Sequence, residues 1–332
     1  MNGLEKLNKY LSQEKNDLIE KCVQTDVMQR LRSIDMNCGM NYTSYETFVK
    51  MHPYSRLQHS INTAYTAAHF TQDPKVIIAA LLHDISSPVF SHVIDFMHKD
   101  YETQESTESF TKRMIMNDTG LLHILEQAGL TVEDVADYHL YPIADNDTPR
   151  LSSDRLEYSL SNMINYGFAS YEEARAYFED LIVTTNEDGE EEIAFRSLAE
   201  ALGFAHRALQ CSYVYASDFD RYAMDYLADI VRDAYNDGVI SESDLYTMSE
   251  TAFIAKMCGN EVIKGMWDHF TQLYAVTTCK AGIPGSKVIA CKKRYIDPLV
   301  NGLGRLSKLD QDFSNEIQKW MKTSFTHAVI NK

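Results

Sequence analysis

The sequence predicts a mainly α-helical protein with one small β-hairpin. Three observations lead there. Apolar residues recur at helical spacing through most of the chain, cap residues stand before the helical runs, and only the stretch near 181–195 switches to β-branched residues around an Asp-Gly turn. Residues 3 to 34 are rich in Leu, Lys, Glu and Gln, and the apolar positions Leu18, Ile19, Cys22, Val23, Val27, Leu31 and Ile34 predict one or two helices. Cys38-Gly39-Met40-Asn41-Tyr42 breaks that pattern. Met51-His52-Pro53-Tyr54 breaks it again, because proline biases the residue before it away from the helical region. Ser55 then caps a helix running to about Phe70. Asp73-Pro74 opens the next, whose run Val76-Ile77-Ile78-Ala79-Ala80-Leu81-Leu82 is apolar on every side and predicts a buried helix.

From 102 to 178 the signals are helical again, with Thr131-Val132-Glu133-Asp134 as a cap followed by an acid. Leu181 to Thr185 and Glu190 to Phe195 flank Asn186-Glu187-Asp188-Gly189 and predict the hairpin. Helix returns over 196–278, including Phe219 to Asn236 and a start at Ser241-x-x-Asp244. After Ile283-Pro284-Gly285, the segment Lys287 to Cys291 predicts a short tail strand. The basic cluster Lys292-Lys293-Arg294 follows, and it reads as a solvated loop, a second anion site or an oligomer contact. No repeat, low-complexity tract or long linker divides the chain, so residues 1–332 are expected to form a single mainly helical domain.

Of the 332 residues, 45% are hydrophobic and 24% charged, which excludes disorder as the default state. The net charge of −17 repels polyanions and argues against a general nucleic-acid or anionic-membrane coat. A small anionic substrate would need a locally positive pocket. The six cysteines (Cys22, Cys38, Cys211, Cys258, Cys279, Cys291) are scattered, without a C-x-x-C pair, and the chain starts on polar residues, so reduced thiols and a cytoplasmic location are expected. No apolar run approaches the ~20 residues of a membrane-spanning helix.

His83-Asp84 follows directly on the buried apolar run, and an ionised aspartate beside such burial needs a compensating partner. A divalent cation would serve, since mixed imidazole and carboxylate donors suit Fe, Mn, Zn, Co or Ni. His59 on the preceding helix and Asp154 on a third could converge there, with Asp84 at the centre and His83 leaning across. On its own, the His-Asp pair reads equally as a hydrogen-bonded polar pair.

The wider pattern adds to this. Arg56-x-x-His59, then Leu81-Leu82-His83-Asp84, then a Ser87-Pro88-x-Phe90-Ser91-His92 turn and a late Ser153-Asp154-Arg155-Leu156-Glu157-Tyr158 together resemble the HD-domain metal-dependent phosphohydrolases. Within them the chain is most similar to the deoxynucleoside triphosphate triphosphohydrolase branch. Gln29-Arg30-Leu31-Arg32-Ser33-Ile34 and Pro53 to Ser60 also match segments of that branch, so clear motifs span 29 to about 162. The resemblance implies a helical HD core over about 27–170. Residues 171–332 would then be a helical C-terminal extension carrying the hairpin and the tail strand.

It further implies His59, His83, Asp84 and Asp154 as ligands of a divalent transition metal, and Arg56 as a phosphate clamp. The substrate would be a nucleotide, possibly a deoxynucleoside triphosphate, or another small phosphate ester, attacked by a metal-activated water. His92 is the candidate phosphate contact or general acid, with Asp95 and Glu105 as supporting acids. Tyr158, four residues after Asp154, could reach the substrate, and His139 is a weaker pocket candidate. The branch has histidines where this chain has Ser87 and Gln104. Those departures motivate the alternative of a nucleotide-binding or regulatory module with weak hydrolysis. A purely structural helical protein is the third reading, and the branch's tendency to assemble implies a possible homo-oligomer.

Overall fold

Helix starts in this protein are set by side-chain caps. The computed structural model describes residues 1–97 and 110–332. Ser55 accepts a hydrogen bond from the Gln58 N–H and opens the helix Arg56–Phe70. Asp73 accepts from Lys75 and, with Pro74 at the first helical position, opens Pro74–Leu82. Ser152, Ser197 and Ser217 cap Ser153–Asn165, Leu198–Tyr215 and Asp218–Asn236 in the same way. Reciprocal capping boxes form at Thr131 with Asp134 and at Ser241 with Asp244, where the sequence signals them.

The architecture is mainly helical with small sheets, as expected. Residues 3–34 are more broken than the one or two helices expected there. They form Gly3–Leu11, Asp17–Val23 and Asp26–Arg30, then a 3-10 turn at Leu31–Ser33. Asn16 interrupts the run because its side chain accepts from the Leu18 and Ile19 N–H groups and starts a new helix. The helical stretch expected over 102–178 is likewise interrupted: residues 136–152 hold only the 3-10 turn Tyr138–Leu140 and irregular backbone.

The hairpin pairs β1 (Leu181–Thr185) with β2 (Glu191–Phe195), Leu181 facing Phe195 and Thr185 facing Glu191. In its turn the Asn186 side chain accepts from the Asp188 and Glu190 N–H groups, and Gly189 adopts φ +84°. Four short strands follow: β3 (Val276–Cys279), β4 (Leu299–Val300), β5 (Gly304–Arg305) and β6 (Ala328–Asn331). β4 joins the hairpin in parallel with β2 and pairs antiparallel with β5, while β3 pairs with β6. The tail strand expected over Lys287 to Cys291 does not form; Lys287 alone bridges Val329. The buried Arg221 guanidinium binds the Ile289 carbonyl, where a ladder partner would have to donate.

The Arg56–Phe70 and Pro74–Leu82 helices pack side by side, and Ser153–Asn165 packs on the first. A connection of three residues makes the first two antiparallel neighbours. All seven side chains from Val76 to Leu82 are buried, in agreement with the all-round apolar run. One face of this helix joins a core with Phe90, Leu227, Phe253 and Trp267, and the other joins a core with Leu156, Phe195, Phe204 and Phe313. No helix among the described residues is long and apolar enough to cross a membrane, and all six cysteines are free.

The C-terminal segment is locked to the hairpin by charge. Buried Arg305 grips fully buried Glu192 through two bonds of 2.5 Å and adds bonds of 2.8 and 3.0 Å to Glu187. Removing one partner strands a buried charge, which costs about 3–5 kcal/mol. Arg305→Met is therefore expected to lower the unfolding free energy by that amount in urea titration, and adding Glu192→Leu should recover most of it.

Candidate metal centre

Antiparallel packing brings the start of one helix beside the end of the next. His59 sits in the first turn of Arg56–Phe70, and His83 and Asp84 directly follow Leu82. Asp154 is the second residue of Ser153–Asn165. His59 Nε2 lies 3.1 Å from His83 Nε2 and 2.9 Å from Asp154 Oδ1, and His83 Nε2 lies 3.4 Å from that oxygen. Donors held at about 2.0–2.2 Å from one cation stand roughly 3–3.5 Å from each other, so this triangle is the size a metal requires.

Both imidazoles are turned inward by bonds at their other nitrogen. His83 Nδ1 lies 2.7 Å from the Ala80 carbonyl oxygen, which can only accept, so Nδ1 carries the proton and the Nε2 lone pair faces the centre. His59 Nδ1 lies 2.5 Å from Glu157 Oε2. Glu157 is fully buried and also accepts from the Tyr54 hydroxyl, from Asn62 Nδ2 at 2.9 Å and from Ser161 Oγ at 2.8 Å. Such outward partners fix the tautomer and raise the basicity of metal-binding histidines. Sequence reasoning passed over Glu157. The available signal was its place three residues after Asp154, on the same helical face.

Asp84 does not hold the central position expected of it. Its Oδ2 is 2.7 Å from Arg56 Nη1, its Oδ1 accepts from Ser87 Oγ at 2.9 Å, and it stands 3.6 and 3.7 Å from the two imidazole nitrogens. The reason is Arg56, a buried guanidinium that takes the nearest carboxylate as counter-ion and also donates to Ser91 Oγ at 3.2 Å. The centre of the cluster is His59 Nε2.

The electrostatics favour a cation. Burial would push the His59 imidazole down, yet the Glu157 and Asp154 carboxylates outweigh it and raise the group to about 10. His83 is raised likewise, against burial, by Asp84 and Asp154. Asp84 and Asp154 are held well below the usual carboxylate range despite burial, Asp84 chiefly by Arg56 and Asp154 by the two histidines. Carboxylates that strain to protonate two imidazoles form a surplus of negative charge which a divalent ion would neutralise. His59, His83 and Asp154 thus fit a metal by donor type, spacing and tautomer.

The trio forms one end of a cavity of about 600 Å³. Arg56, Ser87, His92, Tyr158 and His139 all line it, as does Asp84. His92 Nδ1 lies 2.9 Å from Oδ2 of the buried Asp95. Burial lowers the His92 imidazole, and the bond to Asp95 only partly opposes this. It is presented by Phe90 and Ser91, both at positive φ (61° and 47°), a strained pair of the kind that persists where the surroundings over-determine the backbone. Glu105 and Gln104 lie outside the described residues. From the far end of the chain, Lys292 and Arg294 reach the cavity wall. The basic cluster is therefore pocket-facing in part, and it supplies the positive charge that an anionic substrate needs in a chain of net charge −17.

Residues 56–156 match the HD domain. Arg56, the two histidines, Asp84 and Asp154 fall within the match, while Glu157, Lys292 and Arg294 lie beyond it. The chain is 25% identical over 255 residues to the uncharacterised protein YdhJ of Bacillus subtilis, covering 74% of this chain and 73% of that one. It is 29% identical over 166 residues to the metal-dependent phosphohydrolase cns2 of Cordyceps militaris, covering 49% of this chain and 46% of the relative. The match over residues 56–156 and this likeness support a hydrolase of the HD type.

Glu157→Gln keeps the shape and removes the charge that orients His59. It is expected to weaken Mn(II) binding by about 10–100-fold in calorimetric titration, as loss of such an outer partner does elsewhere.

Proposed function

We propose that this protein is a metal-dependent phosphohydrolase acting on a nucleotide or a similar small phosphate ester. The observation that carries this reading is the convergence of two Nε2 lone pairs and one carboxylate oxygen at the end of a cavity whose walls also hold cations. A divalent ion bound there supplies Lewis-acid polarisation of a phosphoryl oxygen and makes a nearby water more acidic. Fe, Mn, Ni, Co and Zn all accept such a donor set. Asp84, the next carboxylate out, is the fourth ligand in this reading.

The protein's own groups divide the remaining work. Glu157 and the Ala80 carbonyl hold the imidazoles in the ligating tautomer. Arg56, fixed by Asp84 and Ser91, points a rigid guanidinium at the phosphate, and Lys292 with Arg294 neutralise charge from the opposite wall. His92 donates a hydrogen bond from its Nδ1–H to Asp95, which leaves the Nε2 lone pair free to take a proton from water. Tyr158 stands one helical turn beyond Asp154 and contacts the body of the substrate. In this reading Asp95, Glu105 and Gln104 support the leaving group.

A nucleotide-binding module with weak turnover is the second reading. It is favoured by Ser87, whose hydroxyl is committed to Asp84 and offers no proton to a leaving group.

Metal analysis of purified protein is expected to find about one transition ion per chain, since protein donors that leave coordination positions for water describe a catalytic site. With Mn, Fe or Co supplied, phosphate or polyphosphate should be released from at least one member of a nucleotide panel. Asp154→Ala should lower both metal content and turnover, the latter by at least about 10³-fold. Protein that keeps no metal and releases no phosphate would refute the enzyme, and tight nucleotide stabilisation without product would favour the binder.

A further inference from the structure

The strained turn that presents His92 is held from behind. Phe90 is fully buried, its ring stacked on Trp267 and edge-on to Tyr42 and Phe253. The Val89 N–H donates to the Leu245 carbonyl at 2.8 Å. The Phe90 N–H donates instead to a side chain, the carboxylate of Glu250, which opens the helix Glu250–Met257.

Glu250 is only 2% exposed, and a buried carboxylate is costly unless donors surround it. Its donors come from three separate places. Besides Phe90, the Asp35 N–H reaches Oε1 at 2.9 Å and the Tyr42 hydroxyl reaches Oε2 at 3.1 Å. Asp35 in turn belongs to the backbone that leads the chain into the first site helix: it bridges Ser55, the Met36 N–H donates to the Tyr54 carbonyl at 2.9 Å, and the Arg56 N–H donates to the Ile34 carbonyl at 2.8 Å. One carboxylate therefore ties the backbone behind Arg56 to the backbone behind His92. A buried charge is a weak source of stability. Its effect here is to fix two segments of the site against each other.

We infer that Glu250 is a positioning residue, which sets the aim of the His92 ring relative to Arg56 by holding the Phe90 and Asp35 N–H groups on a single carboxylate. The chemical role of His92 rests on the phosphohydrolase reading; the aiming of its ring does not. Burial raises the Glu250 carboxyl to about 7; the Asp35 carboxylate adds to the rise, while the three donors oppose it. The titratable groups facing it are Asp35, itself raised to about 6 by burial with Arg56 opposing, and the Tyr42 hydroxyl, also raised by burial. As the pH falls through about 7, Glu250 takes up a proton and three donors compete for one acceptor fewer. The turn is thus held best above that pH and loosens below it.

The test follows the His92 ring by NMR in the full chain, with histidine labelled at Cε1, Zn(II) supplied, and the signal assigned by its loss in His92→Gln. In the wild type the signal should show its own titration below the ordinary 6.5 and a second, smaller inflection near pH 7 from Glu250. Glu250→Gln should abolish the second inflection. It should also lower kcat for 4-nitrophenyl phosphate by about 10–100-fold, the scale of a small misplacement of a reacting group, while Mn(II) affinity and cooperative melting persist. Tyr42→Phe removes one donor and spares the carboxylate, so it should move the second inflection to higher pH, and it carries the test if Glu250→Gln does not fold. A wild-type His92 signal that titrates in one step, or one indifferent to the variants that fold, overturns the positioning role. Turnover of phosphate esters beside such a signal defeats the positioning alone, and a two-step signal that responds to the variants without turnover of any phosphate ester defeats the hydrolase alone.

Discussion

A buried carboxylate holds this site together. Glu157 receives two hydrogen bonds on each oxygen: Tyr54 and His59 on Oε2, Asn62 and Ser161 on Oε1. Buried charge is costly unless its lone pairs are satisfied, and four donors from separate places satisfy these. Tyr54 comes from the turn before the first site helix, His59 and Asn62 from within it, and Ser161 from the helix of Glu157 itself. Asn62 also reaches Asn8, so the N-terminal helix is drawn into the same network. The bond that aims His59 at the centre is therefore one of the bonds that fix how three helices pack.

Apolar burial does the complementary work. The Pro74–Leu82 helix faces a core on either side, and its register is set by seven buried side chains rather than by the polar pair at its end. His83 and Asp84 emerge where that helix stops, which places them at a fixed height against the first turn of Arg56–Phe70. Deep packing beneath and a polar rim above is the arrangement that holds a side chain to within a fraction of an ångström.

Charge is distributed against the average of the molecule. A chain of net charge −17 gathers Arg56, Lys292 and Arg294 around one cavity that Asp84 and Asp154 also line, with Glu157 buried behind His59. Arg155 is spent on structure. It binds the Arg150 carbonyl at 2.7 Å and Asp145 at 2.9 Å, and so shapes the irregular segment that forms another wall.

Much of this was legible in the linear sequence because it is local. Caps at Ser55, Asp73, Thr131 and Ser241, the all-apolar run, and the Asp-Gly hairpin each depend on a few adjacent residues, and each formed where expected. The family resemblance of the motifs also implied His59, His83 and Asp154, together with Asp84. The tail strand failed because Arg221, remote in the chain, occupies a carbonyl there. Asp84 was displaced from the centre by the counter-ion demand of Arg56, which exists only once both are buried. Glu157 looked like one acid among many, and Lys292 and Arg294 like a surface cluster, until folding carried residues from opposite ends of the chain to one cavity. Local hydrogen bonding and periodicity are properties of sequence, whereas which buried charges meet is decided by long-range packing.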